Sequence, residues 1–124
     1  MGTYLRRRFP PTAGAIPEAR AFLRENLPET VSDDTAAELM LALSELATNV
    51  VKHAGTPFEV VVDTDGRARI EVEDSSPRLP VPTRAAPWAM SGRGLAIIDD
   101  LCDRWGVHVA QHAKCVWCER DLST

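Results

Sequence analysis

The feature that most constrains the fold of this 124-residue sequence is a change of hydrophobic period at Phe58. Before it, apolar residues recur at helical spacing from Ala36 to Val50, which predicts an amphipathic helix with one face on a core. Ser32 is the expected N-cap, and Gly55 lies just past the end, where a left-handed residue commonly caps a helix. From Phe58 onward the pattern is typical of strands.

Strand and turn signals fill most of the remaining chain. The Asp65-Gly66 dipeptide predicts a tight hairpin, and a second pair of strands is predicted at 104–110 and 115–120. Sequential strand pairs without regularly interleaved helices indicate an α+β fold, a two-layer α/β sandwich with helices on one face of a mixed, mainly antiparallel sheet. The length fits a single domain over 1–124. The other predicted elements are a strand at 4–9 and helices at 18–27 and 95–101.

Charge and composition exclude some function classes. The formal net charge is −4, and the basic run Arg6-Arg7-Arg8 has no aromatic companions, so we expect a solvated edge strand and no nucleic-acid partner. A membrane-spanning helix needs about 18 consecutive apolar residues, and no run of that length occurs. No signal peptide is visible. Three cysteines without an export signal favour reduced thiols and a cytoplasmic location. Cys115 and Cys118 are spaced as C-x-x-C, but on a strand they would point to opposite faces.

Glu45 and Asn49 lie one helical turn apart, on the face that periodicity places opposite the apolar stripe. An Asn oxygen suits Mg²⁺, and a nearby Glu can accept a proton from a hydroxyl. Such a pair is also common on a solvated helix face, so this pattern alone leaves both readings open.

Two further features frame a long loop at 75–91 that contains four prolines. Asp74 ends a predicted strand on its apolar side, where a carboxylate either caps the following loop or accepts a hydrogen bond from a ligand amino group. Gly92-Arg93-Gly94 leads into a helix, an arrangement that lets backbone N–H groups approach phosphate, although a lone G-x-G also serves as a flexible helix entry.

Together these segments resemble a known family. Residues 44–54, Ser-Glu-Leu-Ala-Thr-Asn-Val-Val-Lys-His-Ala, resemble the N box of the GHKL (Bergerat-fold) ATPases. Asp74-Ser75-Ser76-Pro77 resembles the start of their first glycine box, and Gly92-Arg93-Gly94-Leu95 resembles the second. Residues 114–117 are similar to the strand that closes the adenine pocket. The match covers roughly residues 36 to 118.

The resemblance implies ATP and Mg²⁺ as cofactors and a role for each matching residue. It implies that Glu45 is the general base, that Asn49 is the Mg²⁺ ligand and that Asp74 reads adenine. The 75–91 loop would form a lid over the nucleotide. The remaining implied nucleotide-binding residues are His53, Ser76, Pro77, Gly92, Arg93, Gly94, Leu95 and Cys115. For His53, packing or capping is favoured over a role as phosphoacceptor.

Within that superfamily the sequence looks like the short anti-sigma-factor serine/threonine kinases of actinobacterial type. This resemblance implies a STAS-type anti-anti-sigma protein as substrate, a sigma factor as second partner, and a homodimer. Ser76 and Arg78 replace the usual glycines of the first glycine box, and Cys115 replaces a more polar residue. The alternatives are therefore a nucleotide-gated binding module with little or no catalysis, and an ordinary α+β domain with a fortuitous motif.

Overall fold

The computed structural model describes residues 2–75, 92–110 and 113–122. Its elements follow the predicted order of strand, two helices, hairpin, helix and hairpin. Their bounds are β1 (Thr3–Phe9), α1 (Ala15–Glu25), α2 (Asp33–Asn49), β2 (Phe58–Thr64), β3 (Arg67–Asp74), α3 (Gly92–Leu101), β4 (Arg104–Ala110) and β5 (Ala113–Asp121).

The strands form one five-stranded sheet in the order β1-β2-β3-β5-β4. Every pairing between the described strands is antiparallel, so the predicted α+β class is confirmed and the sheet is more uniform than the expected mixed one. Gly66 at the β2–β3 turn has a φ of 77°, as a tight Asp-Gly hairpin requires. No helix within the described ranges is both long and apolar enough to cross a membrane.

The sheet has two chemically different faces. Along β3 the side chains of Ala68, Ile70, Val72 and Asp74 are buried, and the side chains between them are half-buried. Directly opposed residues of neighbouring antiparallel strands share a face, so the strand register extends this division across the sheet. We call the face that carries Ile70 and Val72, which joins the core beneath the helices, the inner face. The opposite face is called the outer face.

Helix α2 is fixed by the predicted signals. The Ser32 side chain accepts a hydrogen bond from the backbone N–H of Thr35 at 3.1 Å. The apolar stripe of α2 packs in the core. The chain then continues as a wider π-helical turn, Val50–Ala54, which the sequence did not predict. It closes at Gly55, whose φ is 64° and whose N–H donates to the carbonyl of Val50.

Ion pairs and a cation–π contact connect the strands on the outer face. Arg69 donates to Glu71 at 2.7 Å and to Glu119 at 2.9 Å, and its guanidinium lies 4.3 Å from the Trp117 ring centroid. Beneath the same indole lies Gly106, where an added Cβ would come within 2.8 Å of the ring. The Arg6–Glu73 pair, at 3.0 Å, extends the network to β1, an exposed edge strand as predicted.

Candidate functional site

Arg120 of β5 joins two helices at one end of the protein. Its guanidinium donates to Glu38 of α2 at 2.8 Å and to the carbonyl of Leu101, the last residue of α3, at 3.4 Å. Helices α2 and α3 also pack against each other. Because α3 ends beside the first half of α2 and packs along it, we infer that the two helices run antiparallel. The N-terminus of α3 therefore lies towards the C-terminal end of α2.

The strand register places the end of β3 in the same region. Arg67, the first residue of β3, pairs with Asp121, next to Arg120. Asp74 ends β3 roughly 23 Å away at about 3.3 Å per strand residue, and α2 advances roughly 16 Å from Glu38 to its end at about 1.5 Å per residue. Phe58 begins β2 just after the π-helical turn that follows α2, and it pairs with Asp74, so the C-terminal ends of α2 and β3 lie at one end of the sandwich, which we call the site end. We infer that α3 begins at the same end.

Two of the site residues that the sequence predicted are buried at the site end. Asn49, the last residue of α2, is 6% exposed, and Asp74 is 3% exposed. Glu45, one turn before Asn49, is half-buried. The expectation that this helix face turns away from the core is wrong for Asn49. The reason is that α2 is covered by α1, by the sheet and by α3, and Ala42 on the same face is fully buried.

Asp74 has a buried cationic neighbour that the sequence reasoning missed. Lys114, the directly opposed residue on β5, is 8% exposed, and its Nζ lies 3.7 Å from Asp74 Oδ2. Strand alternation contained the signal, because Lys114, Val116 and Cys118 share one face and the other two are apolar.

Cys115 does not lie with Asp74, and its prediction as a nucleotide contact is corrected on geometric grounds. It is one residue beyond Lys114 on β5, so its side chain lies on the outer face, where Sγ is 3.6 Å from Glu71 Oε1. Burial and the carboxylates of Glu71 and Glu73 raise the pKa of this thiol to about 12. The potential ligand atoms of Cys115, Glu71 and Glu73 lie within 4.8 Å of one another, but arginines neutralise both carboxylates. The predicted separation of Cys115 and Cys118 is confirmed.

The remaining predicted residues fall in three groups. Helix α3 begins at Gly92, so its first turn contains the predicted glycine motif, with Gly94 buried; the side chains of Arg93 and Leu95 lie outside the description. His53 is exposed on the π-helical turn. Ser76, Pro77 and the rest of the predicted lid up to Ser91 lie outside the described residues.

The donor set at the site end fits a magnesium nucleotide. An amide oxygen beside a carboxylate suits Mg²⁺, a buried carboxylate suits an amino group, and the N-terminus of the ten-residue helix α3 suits phosphate. Buried polar side chains are costly unless they have a polar partner. Asn49 and Asp74 are therefore the buried polar residues of the site end whose chemistry fits such a ligand.

Comparison with known proteins identifies the class. Residues 9–119 match the histidine kinase-like ATPase domain, and the chain belongs to this family. It is 39% identical over 83 residues to an uncharacterized protein of Streptomyces coelicolor, covering 62% of this chain and 79% of that protein.

Among solved structures, the chain is similar to the crystal structure of the RsbU and RsbW domains of a Mycobacterium tuberculosis protein. The TM-score is 0.69 at 22% identity, and the match covers 98% of this chain. This chain spans 33% of that longer one, so the likeness establishes the fold.

Proposed function

We propose that this protein is a cytoplasmic ATP-binding regulator of transcription, an anti-sigma-factor serine/threonine kinase that phosphorylates a STAS-type anti-anti-sigma protein. The observation that carries the proposal is the arrangement at the site end. A buried Asn49 and a buried Asp74 lie at the end of the sandwich where we infer that α3 begins, within a histidine kinase-like ATPase domain. The resemblance of the N box and of both glycine boxes to this kinase branch supplies the substrate class.

In this proposal two residues of α2, Asn49 and Glu45, have distinct tasks. The Asn49 amide oxygen holds Mg²⁺, which neutralises phosphate charge when bound. Glu45, one turn away and half-buried, accepts the proton of the substrate hydroxyl. As that proton moves to Glu45, the hydroxyl oxygen bonds to the terminal phosphorus and the bond from phosphorus to ADP breaks.

The other contacts hold the nucleotide in place. Asp74 accepts a hydrogen bond from the adenine amino group, and the first turn of α3, Gly92 to Leu95, binds phosphate oxygens through its backbone N–H groups. His53, Ser76 and Pro77 belong to the same proposal as residues near the nucleotide. A sigma factor is the proposed second partner, and a homodimer is the proposed assembly.

The proposal is tested by phosphoryl transfer from labelled ATP to the STAS-domain proteins of the same organism. We expect Mg²⁺-dependent label on one of them, reduced about a hundredfold or more by Glu45→Gln, because a positioned base contributes roughly 10² to 10⁴ in rate. The matched control Asp34→Asn alters an exposed carboxylate in the first turn of the same helix and should retain the activity. No Glu45-dependent label on any of these proteins would contradict the kinase proposal.

A second candidate is a nucleotide-gated protein-binding module without catalysis. The replacement of two glycines by Ser76 and Arg78 favours it, because both residues restrict the backbone at the expected base-binding turn. Calorimetry with Mg²⁺ and ATP separates the two. Binding without transfer supports the module, and transfer to a hydroxyl supports the kinase.

A further inference from the structure

Lys114 is buried, which is unusual for a lysine side chain. It lies near the start of β5, and its side chain is 10% exposed although a lysine stem is long enough to reach water from most strand ends. Its Nζ instead lies 3.7 Å from the carboxylate of Asp74, whose side chain is 1% exposed. The two residues are directly opposed across β3 and β5 on the inner face.

The pair is not explained by fold stability. Removing two charges from water costs several kcal/mol per ion by general estimates, and apolar replacements of buried ion pairs are often equally stable or better. The other residues of this face along β3 and β5 include Val72 and Val116, which pair with each other one step from the ion pair and show what an ordinary packing solution looks like here. Along β3 the pair ends an otherwise apolar row, and this placement indicates a ligand that needs both charges.

The chemistry of the pair matches one edge of a nucleobase. A carboxylate only accepts hydrogen bonds, whereas an ammonium only donates them. The amino group of adenine is a donor, and the ring nitrogens that flank it, N1 and N7, are acceptors. A carboxylate and an ammonium a few ångströms apart present the complementary order of acceptor and donor.

We infer that Lys114 is a specificity-determining residue that donates to a ring nitrogen of the base while Asp74 accepts from the neighbouring amino group. This inference rests on the proposed nucleotide site and names its substrate class as a 6-aminopurine nucleotide. A 6-oxopurine, such as guanine, places a carbonyl oxygen against the Asp74 carboxylate, and in the N1 arrangement it also turns a ring N–H towards the ammonium.

The test removes one hydrogen-bonding group at a time from the nucleobase and the ammonium from the protein. Binding of ATP, 1-deaza-ATP, 7-deaza-ATP and purine riboside triphosphate is measured by calorimetry for the wild type and for Lys114→Met. In the wild type, loss of the ring nitrogen that Lys114 reads should weaken binding about tenfold or more, the usual worth of a charged hydrogen bond. Lys114→Met should bind that deaza analogue and ATP equally. The two deaza compounds decide between N1 and N7.

Two controls keep the outcome interpretable. Arg24→Met removes an exposed positive charge from α1 and should discriminate as the wild type does. If Lys114→Met does not fold, Asp74→Leu/Lys114→Met replaces it. That variant leaves no charge of the pair buried alone, and neither new side chain can donate to a ring nitrogen. A deaza penalty that is present in the wild type and absent from this variant therefore still reports Lys114, because the Asp74 carboxylate of the wild type cannot donate to a ring nitrogen either.

The two failures are distinguishable. If the wild type binds no ATP, the proposed nucleotide site itself is wrong. If the wild type binds ATP but loses nothing with either deaza analogue, or if the penalty persists unchanged in the Lys114 variant, the nucleotide site stands and the role of Lys114 is overturned.

Discussion

Glu73 and Asp74 are adjacent carboxylates on β3, and they lie in opposite environments. Glu73 is on the outer face, half-buried among other charges, with the Arg6 guanidinium at 3.0 Å. Asp74 is on the inner face at 3% exposure, at the end of an apolar row, with Lys114 as its cationic neighbour. A single step along a strand therefore separates a charge in a solvated network from a charge in the core.

The difference between the two faces shows which charged residues point to a function. On the outer face, pairs such as Arg6–Glu73 remain in contact with water, so each contributes little and is replaceable. On the inner face an ion has lost most of its hydration and is retained only with a partner of matching chemistry. Asp74 and Lys114 are therefore informative about function, whereas the more numerous outer charges are informative about the surface.

The largest expected effect is on stability, from removing one charge of each face. We expect Lys114→Met to lower the free energy of unfolding by about 3 kcal/mol, because it leaves the Asp74 carboxylate buried without this counter-charge. Arg6→Met, which breaks an outer pair whose arginine side chain is 41% exposed, should cost less than about 1 kcal/mol. Urea unfolding of both variants measures the difference. Similar losses for the two would remove the distinction between the faces.

Two adjacent buried valines, Val60 and Val61, allow the inner and outer faces to be compared without changing a charge. Both are fully buried, Val60 on the inner face and Val61 on the outer face between Arg6 and Glu71. Val60→Thr places a hydroxyl in apolar surroundings and should cost about 1 to 3 kcal/mol. Val61→Thr places it beside charged groups that can bond it, so we expect a cost of under about 1 kcal/mol. The reverse order in urea unfolding would mean that the outer network excludes polar groups as the core does.

The smallest expected effect concerns acid stability of the outer face. Hydrogen bonds from Arg104 and Arg69 hold the pKa of Glu119 below its ordinary value of 4.5. A carboxylate with a lowered folded-state pKa adds stability above its unfolded pKa, and that stability is lost as the pH falls through the folded value. Glu119→Gln should therefore be slightly less stable at pH 7 and lose less stability than the wild type below about pH 4.5.

The control for this prediction is Glu29→Gln, an exposed glutamate that should keep the wild-type pH profile. Urea midpoints between pH 7 and pH 3 provide the measurement. An unchanged profile for Glu119→Gln would show that the outer network contributes no acid-sensitive stability.

Much of the fold could be predicted because its signals are local. Periodicity located α2, Ser32 marked its start, Gly55 marked the close of the π-helical turn that follows it, and Asp65-Gly66 fixed the β2–β3 hairpin. Strand alternation also separated Cys115 from Cys118 correctly. These features depend on residues within a few positions of one another.

The site was less predictable because it depends on which segments meet. The burial of Asn49 arises from α3 and the sheet covering α2, which no helical wheel contains. The opposition of Lys114 and Asp74 requires the β3–β5 register, set by strands 40 residues apart in sequence. The sequence pattern pointed to Cys115, which lies on the outer face, one residue from Lys114 on the inner face, and a shift of one residue on a strand changes the face.

The central claim is that the site end binds Mg-ATP through Asn49 and Asp74, and titration calorimetry with ATP in the presence and absence of Mg²⁺ tests it most directly. We expect saturable binding by the wild type that strengthens with Mg²⁺, loss of the Mg²⁺ dependence in Asn49→Ala, and at least about tenfold weaker binding in Asp74→Asn, the usual cost of removing a charged acceptor. Glu73→Gln, one residue away on the outer face, should bind as the wild type does. Absence of ATP binding by the folded wild type, or equal weakening by Glu73→Gln and Asp74→Asn, would contradict the account.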